Sequence, residues 1–168
     1  MIHLVNGRGQ LGSELKKYSG SQALNDVYVY HTWSVQNKTE KEQKQEYKKF
    51  QKFVDVHAEE KIIFISTKSQ RETWYTHYKQ LAEAYVLMHC EASLVIRFPT
   101  FVGKGIVEKF KNNDAKPYGE MELISVEAAA RSVIDVSSYD GIQKCIVVDG
   151  DKISAELVYN LVKRENNV

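Results

Sequence analysis

"MIHLVNGRGQLGSELKKY", residues 1–18, is the stretch on which the fold turns. A short apolar run, "IHLVN" at 2–6, reads as a buried strand. Three glycines follow at Gly7, Gly9 and Gly12, and a helical pattern then starts at Gln10 and runs to Lys17. A glycine-rich turn between strand and helix lets the backbone approach a phosphate, and the helix N-terminus supplies N–H groups there. The same glycines would also serve a plain tight turn, so the rest of the chain must decide.

Beyond that turn, apolar runs alternate with helical periodicities. "DVYVYHT" at 26–32 is a strand rich in β-branched and aromatic residues. A helical pattern from 38 to 58 puts Tyr47, Phe50, Val54 and Ala58 on one face. "KIIFIST" at 61–67 is the most apolar strand. Residues 73–90 read as helix, with Trp74, Tyr78, Leu81, Tyr85 and Met88 along one stripe. "SLVIRF" at 93–98 is the fourth strand, and a loop with Pro99, Gly103 and Gly105 leads into a variable middle. "SVEAAARSVIDVSS" at 125–138 is helical, "KCIVVDG" is a fifth strand, and "SAELVYNLVKR" closes as a helix with Ser154 as its N-cap. Such alternation implies right-handed crossovers and a parallel sheet covered on both faces. Sheets of this kind bind ligands outside the carboxyl ends of their strands.

The bulk numbers narrow the partners. The chain has 168 residues, 43% of them hydrophobic, which fits one domain over 1–168. Lys and Arg total 23 against 22 Asp and Glu, a formal charge of +1 that gives no field for nucleic acid or an anionic membrane. The N-terminal apolar run falls far short of the roughly 18 residues that span a bilayer, so a cytoplasmic protein is expected. Cys90 and Cys145 lie far apart without a metal-binding spacing, and free thiols in a reducing compartment follow. The five histidines form no metal spacing either; His31 stands at a strand's carboxyl end, where it would line a cleft.

Two polar constellations carry chemistry. Tyr75 and Lys79, four apart, share a helix face, where an ammonium can lower a phenol's pKa toward acid/base work. Ser66 and Thr67 end a buried strand, where a hydroxyl can orient a substrate oxygen or simply cap the loop.

Together these motifs resemble the extended short-chain dehydrogenase/reductase family of sugar-nucleotide epimerases, dehydratases and reductases. "GRGQLGSEL" resembles its phosphate turn, "FISTKS" its Ser/Thr strand end and "YTHYKQLAEAYV" its Tyr-x-x-x-Lys helix. "LVIRFPTFVGKG" is similar to the strand and loop that reach the substrate, and "GQLG" to the dTDP-4-dehydrorhamnose reductases. The resemblance implies a reduced, Rossmann-like α/β fold with a parallel sheet of about five strands and helices on both faces. It implies NAD or NADP held by Asn6, Gly7, Gly9, Gln10, Leu11, Gly12 and Lys79, and a nucleotide-linked sugar contacted by Ser66, Arg97 and Thr100. Thr67, Tyr75 and Lys79 would be catalytic, in an epimerase or a reductase. No metal is implied.

The pattern is abridged. Asn6 stands where the family's first glycine belongs. "DVYVYHTWS" resembles the family's fourth strand, so two strands are missing, the first strand lies at a sheet edge and the adenosine half of the cleft is absent. Two consequences follow as expectations. A homodimer would form through helices 38–58 and 73–90, or by pairing at the first-strand edge. The alternative to an enzyme is a non-catalytic, Rossmann-like binding or regulatory module.

Overall fold

The computed structural model describes residues 1–5, 9–18, 26–34, 39–103 and 105–165. Five strands form the main sheet: β1 (Ile2–Leu4), β2 (Val27–Tyr30), β3 (Lys61–Thr67), β4 (Leu94–Phe98) and β7 (Cys145–Val147), in the order β1-β2-β3-β4-β7 and all parallel. β1 is an edge strand, as the abridged pattern requires. Between β4 and β7 the chain makes an excursion through β5 (Thr100–Val102), α4 (Ile106–Lys111), β6 (Glu120–Ser125) and α5 (Val126–Ser137). β5 and β6 join β8 (Asp151–Ser154) in a three-stranded sheet ordered β5-β6-β8. Packing of α4 and α6 (Ala155–Glu165) on that sheet buries Phe110, Val158 and Val162. The variable middle of the sequence thus holds a second layer that strand patterning did not foretell.

Alternation along the strands gives each sheet face its own core. Ile63 and Ile65 of β3 point to one face with Val27, Val29, Leu94 and Ile96; Ile62 and Phe64 point to the other with Tyr30 and Val95. The first face is covered by α1 (Gln10–Leu15) through Leu11 and Leu15, and by α5 through Ala129, Ala130 and Val133. The second is covered by α2 (Glu40–Val56) through Phe50 and Val54, and by α3 (Trp74–His89) through Tyr78, Ala82 and Val86. Both long helices begin on a threonine cap. Thr39 accepts from the Glu42 N–H in a full capping box, and Thr73 accepts from the Thr76 N–H.

One expectation is corrected here. From β1 to β4 the chain steps across the sheet in one direction, yet α1 lies on one face and α2 and α3 on the other. The first crossover therefore has the opposite hand to the next two, and the connections are not uniformly right-handed. α1 and α2 thus leave β1 and β2 for opposite faces of the sheet, and at such a point parallel sheets place their ligands in a crevice beyond the strands' carboxyl ends.

A charged clasp ties the two sheets together. Lys68, just past β3, donates to Glu122 of β6 and to Asp149 at 2.8 Å, and Glu122 also accepts the Gly150 N–H at 2.8 Å. Lys68 holds both carboxyls below their ordinary values of 4.5 and 3.8. Carboxyls lowered in the fold contribute stability above their unfolded values and lose it as pH falls through the folded ones. Lys68→Met is therefore expected to lower the melting temperature at pH 6 and to make little difference at pH 2.5. Equal destabilisation at both pH values would show that the clasp acts by packing alone.

Candidate functional site

The carboxyl end of β3 brings together Ser66, Thr67, Lys79 and Arg97 of the polar residues singled out from the sequence, whereas Tyr75 and Thr100 do not line the cleft beside Thr67. Thr67 ends the strand, half-buried, and its Oγ1 accepts the Ser69 N–H at 3.1 Å. No acceptor for its hydroxyl proton is found among the described residues. Ser66, one residue earlier, is buried and donates to Glu83 Oε1. Lys79 and Glu83, one turn apart on α3, are both buried toward the sheet although each side chain is ionisable. Thr67, Lys79, Gln80, Glu83, Arg97 and Val147 are among the residues around a cleft of about 200 Å³.

Arg97 is committed to Glu83. Its Nε lies 3.1 and 3.2 Å from the two carboxylate oxygens and its terminal nitrogen donates to the second, a fork that keeps the guanidinium charged. Thr100 is exposed at the start of β5.

Lys79 is the most enclosed of the group, at 4% exposure. Its Nζ donates to the Ile65 carbonyl at 2.6 Å and lies under three aromatic rings, 4.9 Å from the Trp33 centroid, 4.6 Å from Phe64 and 5.9 Å from Tyr75. Burial lowers its pKa to about 7, against the opposing pull of Glu83 and Glu46. Tyr75 packs half-buried against the same aromatic cluster, and burial pushes its phenol up to about 12. The ammonium and the phenol are neighbours, but in the free protein desolvation outweighs any lowering of the phenol by the amine.

Below about 7 the native core holds a charge that water would solvate better. From 7 to the ordinary value of 10.5 the unfolded chain keeps a proton that the native amine has shed, so stability rises with pH across that window. Lys79→Met is accordingly expected to be more stable than the parent at pH 6, by about 2 kcal/mol, and to lose the advantage by pH 10. Melting curves at the two pH values check this, and a constant difference between the proteins contradicts it.

At the amino side of the crevice, Gly9 caps α1 with an ordinary backbone, φ −78°, and a Cβ added there would meet nothing within 4 Å. Leu11 and Gly12 are buried in α1, and the Gln10 side chain lies against Gly103. Asn6 and Gly7 lie outside the described residues. His31, just beyond β2, has a buried Nε2 with no hydrogen-bond partner among the described residues, and burial followed by the charges of Lys79 and Lys16 lowers its pKa. Trp33 is buried with its indole N–H on Gln43 Oε1 at 2.7 Å, and the fully buried Gln43 in turn donates to the Ser34 carbonyl at 2.9 Å.

Sequence reasoning missed Glu83 and Gln43. A signal existed for Glu83. Tyr75, Lys79 and Glu83 recur every four residues on the face that α3 turns to the sheet, and two charges on such a face must pair. Gln43 gave none, because a glutamine in a run of mixed charges reads as part of a solvated helix face.

Both cysteines are free thiols. Among the described residues no cluster of metal-ligating side chains occurs, and no helix is long and apolar enough to cross a membrane.

The sequence matches no family model and no curated protein. Solved structures match over nearly the whole chain. One is the UDP-N-acetylglucosamine 4-epimerase from Bacillus cereus, with a TM-score of 0.75 at 14% identity, covering 97% of this chain and 80% of that one. Another is the dTDP-4-dehydrorhamnose reductase from Bacillus anthracis in complex with NADP, with a TM-score of 0.75 at 10% identity, covering 99% and 81%. The enzyme WbmG from Bordetella bronchiseptica, in complex with NAD and UDP, matches with a TM-score of 0.72 at 13% identity, covering 99% and 78%. Strand order and these likenesses agree: the chain has the fold of the extended short-chain dehydrogenases/reductases, in a shortened form.

Proposed function

We propose that the chain is an NAD(P)-dependent reductase of a keto group on a nucleotide-linked sugar. The observation that carries this reading is the Tyr75 phenol set beside Lys79, whose Nζ lies 5.9 Å from its ring centroid. A protonated phenol is suited to give its proton to a carbonyl oxygen as that carbonyl is reduced, the step a reductase needs; an epimerase would need the same phenol as base as well.

The residues present fit a dinucleotide in two respects. The backbone at Gly9 is open to close approach, and His31 Nε2 is a buried polar atom without a hydrogen-bond partner among the described residues. Gly9, Gln10, Leu11 and Gly12, with Asn6 and Gly7, would hold the pyrophosphate, and Lys79 a ribose hydroxyl. The bound dihydronicotinamide supplies a hydride to the sugar carbon. Thr67 holds the carbonyl oxygen through its free hydroxyl proton, and Tyr75 protonates that oxygen. Ser66 and Arg97 act behind them by fixing Glu83, while Thr100 borders the sugar from β5.

The test is a reaction of purified protein with NADPH or NADH and a dTDP- or UDP-linked 4-keto sugar. Deuterium from cofactor labelled at the nicotinamide C4 is expected at the reduced sugar carbon. Absence of label in the sugar, with cofactor bound, would refute the reading.

A second reading, a binding module without redox chemistry, is favoured by the enclosure of Lys79 beneath Trp33. It predicts UDP- or dTDP-sugar binding and no calorimetric response to NAD(H) or NADP(H) at millimolar concentration. In either case a homodimer through α2 and α3 is supported by Trp74, Leu81 and Met88. These three recur every seven residues along α3 and are exposed at 46, 38 and 79%. The free thiols fit a cytoplasmic setting.

A further inference from the structure

Thr67 is the last residue of β3, and one bond sets the direction of its hydroxyl: Oγ1 accepts the Ser69 N–H at 3.1 Å. A threonine side chain turns as a stiff unit about χ1, so the place of that N–H decides where the hydroxyl points. Whatever holds residues 68 and 69 therefore aims Thr67.

Residues 68–72 run from β3 to the capped start of α3 and belong to neither. Beyond Ser69 their bonds are local: the Arg71 N–H donates to Ser69 Oγ at 3.4 Å, and the Arg71 carbonyl accepts the Thr73 N–H at 2.9 Å. Among the described residues of this segment, Lys68 alone hydrogen-bonds to an element other than the two it joins. Its N–H donates to the carbonyl of Phe98, in β4, at 2.9 Å, and its Nζ to Glu122 of β6 and to Asp149.

The far end of this tie is itself rigid. Glu122 also holds the Gly150 N–H, and Gly150 has no spare room, since a Cβ there would collide with the Leu123 carbonyl and crowd Pro99. The chain passes from the main sheet to the second sheet at Pro99 and again at Gly150. Lys68 is thus fastened where both crossings meet, and a segment with otherwise local bonds acquires one fixed point.

We propose that Lys68 is a positioning residue for Thr67: by tying residue 68 to β4 and to the second sheet, it fixes the Ser69 N–H and through it the Thr67 rotamer. The inference rests on the reading of Thr67 as the group that holds the substrate's carbonyl oxygen. Lys68 touches none of the reacting atoms on this account; its Nζ is taken up by the two carboxylates.

The experiment reads the Thr67 rotamer directly, from three-bond NMR couplings of its methyl carbon to the backbone nitrogen and carbonyl carbon in labelled protein. Parent, Lys68→Met and Lys68→Arg are compared. The couplings show one staggered well in the parent and averaging in Lys68→Met. Lys68→Arg restores the single well, because a guanidinium can serve both carboxylates. Thr39 and Thr73, at the helix caps, keep their couplings throughout. Turnover in sugar reduction is the second readout. Lys68→Met lowers kcat about tenfold with KM within about twofold, as a displaced contact does. In a Thr67→Ala background the same change lowers kcat no further, because the group it acts through is gone.

The proposal is overturned if Thr67 keeps its single well in Lys68→Met, if the cap threonines loosen with it, or if Lys68→Met lowers kcat equally in both backgrounds. Should Lys68→Met fail to fold, Glu122→Ala takes its place under the same criteria, since it removes the carboxylate that Lys68 and Gly150 share. A freed Thr67 in a protein that reduces no sugar removes the proposed function and leaves the role of Lys68. Reduction of the sugar by the parent, with Thr67 unmoved in Lys68→Met, does the reverse.

Discussion

Tyr75→Phe is expected to lower the turnover of 4-keto sugar reduction by about a hundredfold or more, the usual contribution of a placed general acid, with KM nearly unchanged. The substitution deletes one oxygen from a ring that stays packed against the aromatic cluster, so binding and folding are spared. The pH dependence separates the roles of the two neighbours. With its pKa pushed up to about 12, Tyr75 keeps its proton throughout the neutral range and adds no inflection there. Lys79 sheds its proton around 7. On the proposed mechanism the ammonium steadies the phenolate formed as the proton leaves, so turnover is expected to fall as pH rises through that value. Lys79→Met removes the falling limb together with most of the rate. A parent profile flat from pH 6 to 9 would take Lys79 out of the chemistry, and unchanged turnover in Tyr75→Phe would take out the phenol.

How much of this could be read from residues alone depended on the range of the interaction that decides each feature. β3 was plain because five consecutive residues, from Ile62 to Ser66, are buried, and only a central parallel strand asks for that. The starts of α2 and α3 were legible to within a residue or two, since their threonine caps act over three residues. The edge position of β1 followed from two missing strands. The face chosen by α1 did not, because it depends on Leu11 and Leu15 meeting Ala129 and Ala130 more than a hundred positions away. β6 escaped notice for a similar reason. Its alternation, Met121 and Leu123 inward, lasts six residues, and its partners β5 and β8 are shorter still. At the site, residue types were legible and directions were not. Arg97 could have met a phosphate or a carboxylate, and only the register of β3 against β4, which sets Ser66 beside Arg97, shows that both serve Glu83.

Glu83→Ala is expected to be the most damaging single change to the fold among these residues, costing about 2 kcal/mol, less than a fully buried ion pair because the Arg97 side chain is 41% exposed. For a chain of this size that is a fall of roughly 6 °C in melting temperature. The cost comes less from the attraction lost than from what is stranded. Ser66 is left with a buried hydroxyl and no acceptor, the inner end of the Arg97 guanidinium keeps its charge without a counter-ion, and Lys79 loses the more influential of the two carboxylates that favour its protonated form. Glu83→Gln keeps an oxygen for Ser66 but not the charge for Arg97, so it falls between the parent and the alanine variant. The double change Glu83→Leu with Arg97→Met removes both charges and fills the space, leaving only the Ser66 hydroxyl unpaired. It is expected to recover more than half of the loss, because a buried pair replaced whole by apolar side chains costs little. Were the double variant as unstable as Glu83→Ala, the network would owe its strength to attraction rather than to the penalty of breaking it. Turnover adds a second readout: the recovered double variant still lacks the carboxylate beside Lys79, so the falling limb of its pH profile moves below that of the parent.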